Sequence, residues 1–256
     1  MRQPVRSAPT ATPVRFWGFI AFMLVLMALF IGLGTWQVQR LAEKQALIAA
    51  VEERLDLPPA PPPALEEWDD LDTEALNFRP LTLTGTFAHD QAVRIFTSLA
   101  DSTARGEATG PGYWIVTPFA LADGGTVFVN RGFVPEGQVD AVLAEADQEG
   151  EVTITGIARA PETAGPFTPA PDPERRMEWV RDPQRLAALT DPELAPFAPF
   201  TLDQAAGEPG TLPQGGETVV EFPNNHLGYA MTWYGFALLV PFLLGFWIWR
   251  QRRVEG

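Results

Sequence analysis

The chain has 256 residues, 46% hydrophobic and 20% charged, enough apolar material for a packed domain and too much for a chain disordered throughout. It has no Cys, which removes disulfide frameworks, zinc knuckles, iron–sulfur clusters and thiol catalysis together. A formal net charge of −14 with only 18 Lys and Arg argues against a nucleic-acid partner, whose phosphates ask for a basic surface. In chain order, a tail over 1–15 carries Arg2, Arg6 and Arg15 and no acid. From Phe16 to Trp36 the sequence FWGFIAFMLVLMALFIGLGTW is free of charge, and about 20 such residues cross a hydrocarbon core. A cleaved signal peptide is a poorer reading, because the apolar run is too long and Trp and Gln follow the small residues where cleavage would fall.

The helical spacing of Leu41, Leu47, Ile48, Val51 and Leu55 predicts that this span continues outward over 37–57 and stops at Pro58. Residues 58–76, PPAPPPALEEWDDLDTEAL, are Pro-rich and acidic, which predicts an extended, solvated linker. Over 77–225 the period changes. FRPLTLTGTF, AVRIFTS, GYWIVTPFAL, GTVFVNRGFV and EVTITGIARA alternate or run apolar between Gly, Asp and Pro clusters, the pattern of an antiparallel β domain. LADGG is a hairpin turn signal, DPQRLAALTDPEL reads as a short helix with Pro183 at its first position, and PFTLDQ and ETVVEF read as late strands.

The second uncharged window, LGYAMTWYGFALLVPFLLGFWIW, gives a span over 226–249 that Pro241 should kink, and the tail 250–256 carries Arg250, Arg252 and Arg253 against Glu255. Basic flanks at both ends place both tails on the cytoplasmic or matrix side. The segment between the spans holds 31 acidic and 12 basic residues and belongs on the outer side. The expected fold class is therefore a membrane protein of α+β type, two transmembrane helices flanking a mainly antiparallel β outer, periplasmic domain, with lipid as an obligate neighbour.

Catalytic signatures are scarce. Only His89 and His226 can serve as a neutral-pH base, His89 sits in a polar loop, and Glu66, Glu67, Asp69 and Asp70 form a charge run without the Gly-bearing spacing of a calcium loop. No phosphate loop or dinucleotide fingerprint is present. These absences argue against an enzyme. The informative residues gather at the outer ends of the spans. In PNNHLGYAMTWYGFALL, Asn224 or Asn225 can cap a helix, and His226, Tyr229, Ala230, Trp233 and Ala237 share one face. On the first helix the expected facing stripe is Ala28, Gly32, Trp36 and Arg40, beside Thr35 and Gln37. An imidazole among aromatic rings and near an Arg has the parts of a haem site: an iron ligand, flat apolar walls and a cation for a propionate. The plainer alternative makes His226 a polar helix start and Trp36, Tyr229 and Trp233 aromatic-belt anchors.

Three motifs carry a resemblance: GTWQVQRL with the following Lys44 and Leu47–Ile48, then VFVNRGFVP, then PNNHLGYAMTWYGFA. In this order, with a span at each end, the chain resembles the surfeit locus protein 1 family, whose members are assembly factors for haem–copper cytochrome oxidases of mitochondria and respiring bacteria and help place haem a in oxidase subunit I. The resemblance implies that His226 binds the haem iron, with Trp36, Gln37, Arg40, Tyr229 and Trp233 around the cofactor. For VNRGFV two readings stand: a β-strand leading into a turn, with Gly132 there for backbone reasons and Arg131 on the surface, or Asn130 and Arg131 as a contact for the oxidase or for the membrane-side helices; Tyr234 is a further candidate contact, and haem a synthase a second partner to consider. One departure is Glu43 before Lys44, where many members have Trp. A membrane chaperone that holds subunit I without binding haem is the alternative function. With no Arg- and Ser-rich transit peptide ahead of the first span, a bacterial inner membrane is expected in preference to the mitochondrial one.

Overall fold

The computed structural model describes residues 13–144, 150–217 and 224–254. It divides into a helical unit, Met1–Ala50 with Glu221–Gly256, and a sheet unit, Val51–Val220. The first helix, α1, is continuous over Pro13–Leu55. Beyond Arg15 its first half is uncharged and apolar, and its second half is rich in Ala, Leu, Gln and Glu, which favour helix. It ends before Pro58–Pro59, because a residue ahead of proline is pushed out of the α region.

The acidic segment that follows is packed, not a solvated linker. It bridges Ala60 to Leu81, makes a 3-10 turn over Leu65–Asp70 and a short helix, α2, over Thr73–Leu76, and buries Trp68 at 7% exposure in the sheet core. Asp72 caps α2 by accepting from the amides of Glu74 and Ala75. Its charges are evenly spread, but Ala60, Trp68, Leu71 and Leu76 recur often enough to cover one side of the sheet, and that decides the packing.

Five strands close a ring. They are β1 (Pro80–Phe87), β3 (Gly110–Leu121), β4 (Thr126–Pro135), β5 (Val152–Arg159) and β7 (Phe197–Gln204). The order runs β1-β5-β7-β4-β3 and back to β1 through Gly85–Phe87 against Phe119–Leu121. Only β4 with β7 is parallel within the ring. A helix, α3 (Val139–Ala144), lies between the third and fourth ring strands. This is the connectivity of an OB-type Greek-key barrel. β2 (Val93–Leu99) and the two-residue β6 (Met177–Glu178) extend the sheet beyond β3. The turn Leu121–Gly125 takes positive φ at both glycines, 102° and 79°, which closes the β3–β4 hairpin.

The interior holds Leu83, Phe87, Phe119, Val127, Val129, Phe200 and Leu202. A second cluster covers the outside of β3 and β4: Val116 and Phe128 pack under Val93, Ile95 and the Leu186 and Leu189 side chains of and just after α4 (Pro183–Ala187). β4 is consequently buried on both faces, and the outer surface through which OB barrels usually take ligands is filled by this chain's own residues. Asp182 caps α4 with Pro183 at the first position. The strand expected at ETVVEF lies, apart from Glu217, outside the described residues. The last helix, α5, runs His226–Val254 and continues through Pro241.

Candidate functional site

Both α1 and α5 are long and apolar enough to cross a membrane. They pair antiparallel, and their contacts form a ladder. Trp247 meets Phe16 and Phe19 at 5.2 and 4.5 Å, Trp233 and Phe236 meet Phe30 at 5.8 and 5.5 Å, and Tyr234 lies over Gly34. A Cβ on Gly34 would stand 2.8 Å from the Tyr234 ring, so glycine sets the approach there. The Tyr234 hydroxyl is 3.2 Å from that of Thr35, which donates back to the Ile31 carbonyl. At the top of the ladder, His226 Nδ1 is 2.7 Å from Gln37 Oε1, and the His226 amide donates to the Asn224 side chain.

The contact stripe on α1 is thus Phe30, Gly34 and Gln37, not Ala28, Gly32, Trp36 and Arg40. A Cβ on Gly32 would meet nothing within 4 Å, and Trp36 is 47% exposed. Two residues along a helix are about 200° around it, so choosing Gly32 over Gly34 turned the expected face outward. On α5, Ala230, Ala237 and Val240 are buried, Trp233 is half-buried, and Tyr229 is exposed.

The residues named for a haem site fall into three groups. His226 and Gln37 are bonded to each other. Arg40 stacks on Trp36 at 5.7 Å and pairs with Glu43 at 2.8 Å, so the departure noted at Glu43 supplies this guanidinium with a counter-charge. Trp233 belongs to the interhelical aromatic stack, and Tyr229 stands one turn beyond His226 on the exposed side. Among the described residues no group of three or more His, Asp or Glu is placed to hold a metal ion. A porphyrin iron brings four ring nitrogens and needs only an axial ligand, so the single imidazole, whose Nε2 has no partner among the described residues, fits such a cargo.

In the sheet unit, the VNRGF motif is a structural device. Ile115 pairs with Gly132 and Val116 with Asn130, which leaves Arg131 as the extra residue of a β-bulge. Gly132 sits at φ 139°, and a Cβ there would collide with the backbone of Gln214 and Gly215. Asn130 spans the bulge: its oxygen accepts from the Gly132 amide and its nitrogen donates to Asp203 at 2.9 Å. At 5% exposure Asn130 offers no contact surface, which corrects the expectation that it faces a partner. Arg131 is half-buried, stacked on Phe87 at 5.2 Å with a nitrogen 3.3 Å from His89 Nδ1.

Asp203 also receives Arg181 at 2.8 Å and Arg159 at 3.4 Å, and Arg181 holds Glu162 at 2.6 Å. Burial pulls the Arg159 guanidinium below its ordinary value, with Asp203 opposing. Burial pulls Arg181 the same way, but Asp203 and Glu162 together outweigh it and leave that group raised. This network, which lay beyond sequence reasoning, gives Asn130 and Asp203 a structural role in joining β4 to β7. A cavity of about 900 Å³ opens beside Pro59, Arg105, Thr155, Gln204 and Gly210. Its buried Glu217 accepts from the amides of Arg105 and Gly106, and Gln214 pairs with both backbone groups of Ala108, so these polar groups are engaged within the chain.

The model of the SURF1 family matches residues 24–238. Surfeit locus protein 1 of Mus musculus is 36% identical over 91% of this chain and 75% of its own length. The Homo sapiens protein of that name is 35% identical over 96% of this chain and 82% of its own, and a SURF1-like protein of Monosiga brevicollis is 32% identical over 96% and 93%. The family match takes in the whole barrel and part of each long helix, and the chain belongs to the SURF1 family.

Proposed function

We propose that this chain is an assembly factor for a haem–copper cytochrome oxidase, that it receives haem a beside His226 at the outer ends of its two helices, and that it passes the haem to subunit I. The observation that carries the reading is the His226 imidazole: anchored through Nδ1, without a partner at Nε2 among the described residues, at the head of a helix apolar enough to cross a membrane. Haem a is cargo here, and the chain supplies binding and orientation without making or breaking bonds. A single imidazole ligand suits a carrier, which must hold its cargo less tightly than the recipient does. Arg40 would contribute a cation toward a propionate once Glu43 shares or yields it, and Tyr229 and Trp36 bring exposed aromatic surface. A membrane with both tails on the cytoplasmic side and the barrel in a bacterial periplasm accords with the basic flanks, and subunit I is the partner this role requires, with haem a synthase a second candidate.

A second reading draws on a different observation. Trp36 with Arg40, and Tyr229, are not gathered against His226, as expected if they touch a protein instead of a porphyrin. The chain would then hold subunit I during maturation and carry no haem. The test is the visible spectrum and pyridine haemochrome of the full chain purified in detergent from cells making haem a, beside His226→Ala. Haem a in the wild type and its loss in the variant support the carrier. Haem-free protein that still co-purifies with subunit I, with or without His226, overturns it in favour of the holding chaperone.

A further inference from the structure

Gln37 is the only buried polar side chain of the helical unit among the described residues, 9% exposed between two apolar helices. A buried amide left unpaired loses its hydrogen bonds to water without compensation, so its place there asks for a partner. That partner is His226, at 2.7 Å from Nδ1 to Oε1. A carbonyl oxygen only accepts hydrogen bonds, so the proton of the neutral ring sits on Nδ1 and the lone pair on Nε2. An imidazole free in water prefers the opposite arrangement, with its proton on Nε2 and no lone pair there to give. The ring therefore needs an acceptor on its Nδ1 side to become a donor through Nε2.

We propose that Gln37 is the positioning residue for His226: it holds the imidazole proton on Nδ1, fixes the ring plane against α1, and presents Nε2 as a donor toward an axial position on iron. This rests on the reading of His226 as an iron ligand and adds what makes it one. It also separates Gln37 from Trp36, its neighbour in the GTWQ motif, which points elsewhere and carries Arg40. An outer-shell acceptor of this kind makes its ligand more basic and orients it, and its loss commonly weakens metal binding about 10- to 100-fold.

The experiment uses the full chain in detergent micelles with 15N-labelled histidine, free of haem and at a pH where imidazole is neutral, with His89→Gln to assign the two residues. His226 should show a protonated Nδ1 and an unprotonated Nε2. In Gln37→Leu the proton should move to Nε2, whereas Gln37→Glu should keep it on Nδ1; equal helix content by circular dichroism shows that all three are folded. Titration with hemin, ferric protoporphyrin IX, should then give about 10- to 100-fold weaker binding in Gln37→Leu. The reduction potential of bound hemin should fall in Gln37→Glu, where the ligand becomes more basic. A wild-type His226 protonated on Nε2, or a tautomer that Gln37→Leu leaves unmoved, overturns the proposal. If the tautomer follows Gln37 and hemin is not bound, the haem reading fails while the Gln37 assignment stands.

Discussion

Asp203 in the barrel and His226 in the helix pair are each held by a neighbour, but they are left in different states. Around Asp203, Asn130, Arg181 and Arg159 converge from three parts of the sheet unit, and Glu162 completes Arg181. The His226 imidazole has one partner, Gln37, and its second nitrogen is bare among the described residues. The barrel's outer β3–β4 face is likewise closed by α4 and β2, while Trp36, Tyr229 and Tyr234 on the helices stay 40–57% exposed. A polar group satisfied on all sides serves the fold; one satisfied on a single side is prepared for something else. The contrast accords with an architectural role for the barrel and with the recognition role proposed for the head of the helix pair.

The contrast can be broken at several points. Asp203→Ala removes the shared acceptor of Asn130, Arg159 and Arg181, leaves Arg181 only Glu162, and should cost the sheet unit about 3 kcal/mol in urea unfolding. A change below about 1 kcal/mol would show that the network is not what holds the barrel. Trp68→Ala removes a core side chain contributed by the acidic segment and should cost about 3 kcal/mol in the same measurement, against almost nothing if that segment were a solvated linker. In the helix pair, Gly34→Leu should push Tyr234 away and lose roughly 1–3 kcal/mol, whereas Gly32→Leu should not. Because the chain has no cysteine, disulfide formation between cysteines introduced at Phe30 and Trp233 reads this directly: slowed by the first change, unaltered by the second. The smallest effect is Glu43→Gln, which frees Arg40 from an exposed pair and should shift thermal stability by less than about 0.5 kcal/mol while strengthening hemin binding at low salt.

Much of this was legible in the residues because it depends on short-range patterns. Charge-free windows gave both long helices, and alternation with turn residues gave the strands at FRPLTLTGTF, GYWIVTPFAL and GTVFVNRGFV. Asp182–Pro183 gave the start of α4. The face of α1 was not legible from its small residues, since GLG offers two glycines that point opposite ways. Gln37 would have resolved the choice, because a polar residue at the end of an apolar run needs a partner and Gly34 and Phe30 follow behind it at steps of three and four residues. The acidic segment misled through its composition, which counts charges and not the spacing of Trp68, Leu71 and Leu76. Closure of the barrel, and the meeting of Asn130 with Asp203 across 73 positions, depend on long-range pairing that no local pattern encodes.

The bulge at Arg131 has a genetic consequence. Every missense change of a glycine codon installs a residue that carries a Cβ, and at Gly132 any Cβ meets the backbone of Gln214 and Gly215. Missense changes at this codon should therefore reduce the amount of folded protein before they touch any ligand, and a cell carrying one would lose function through turnover of the chain with its His226 and Gln37 unaltered.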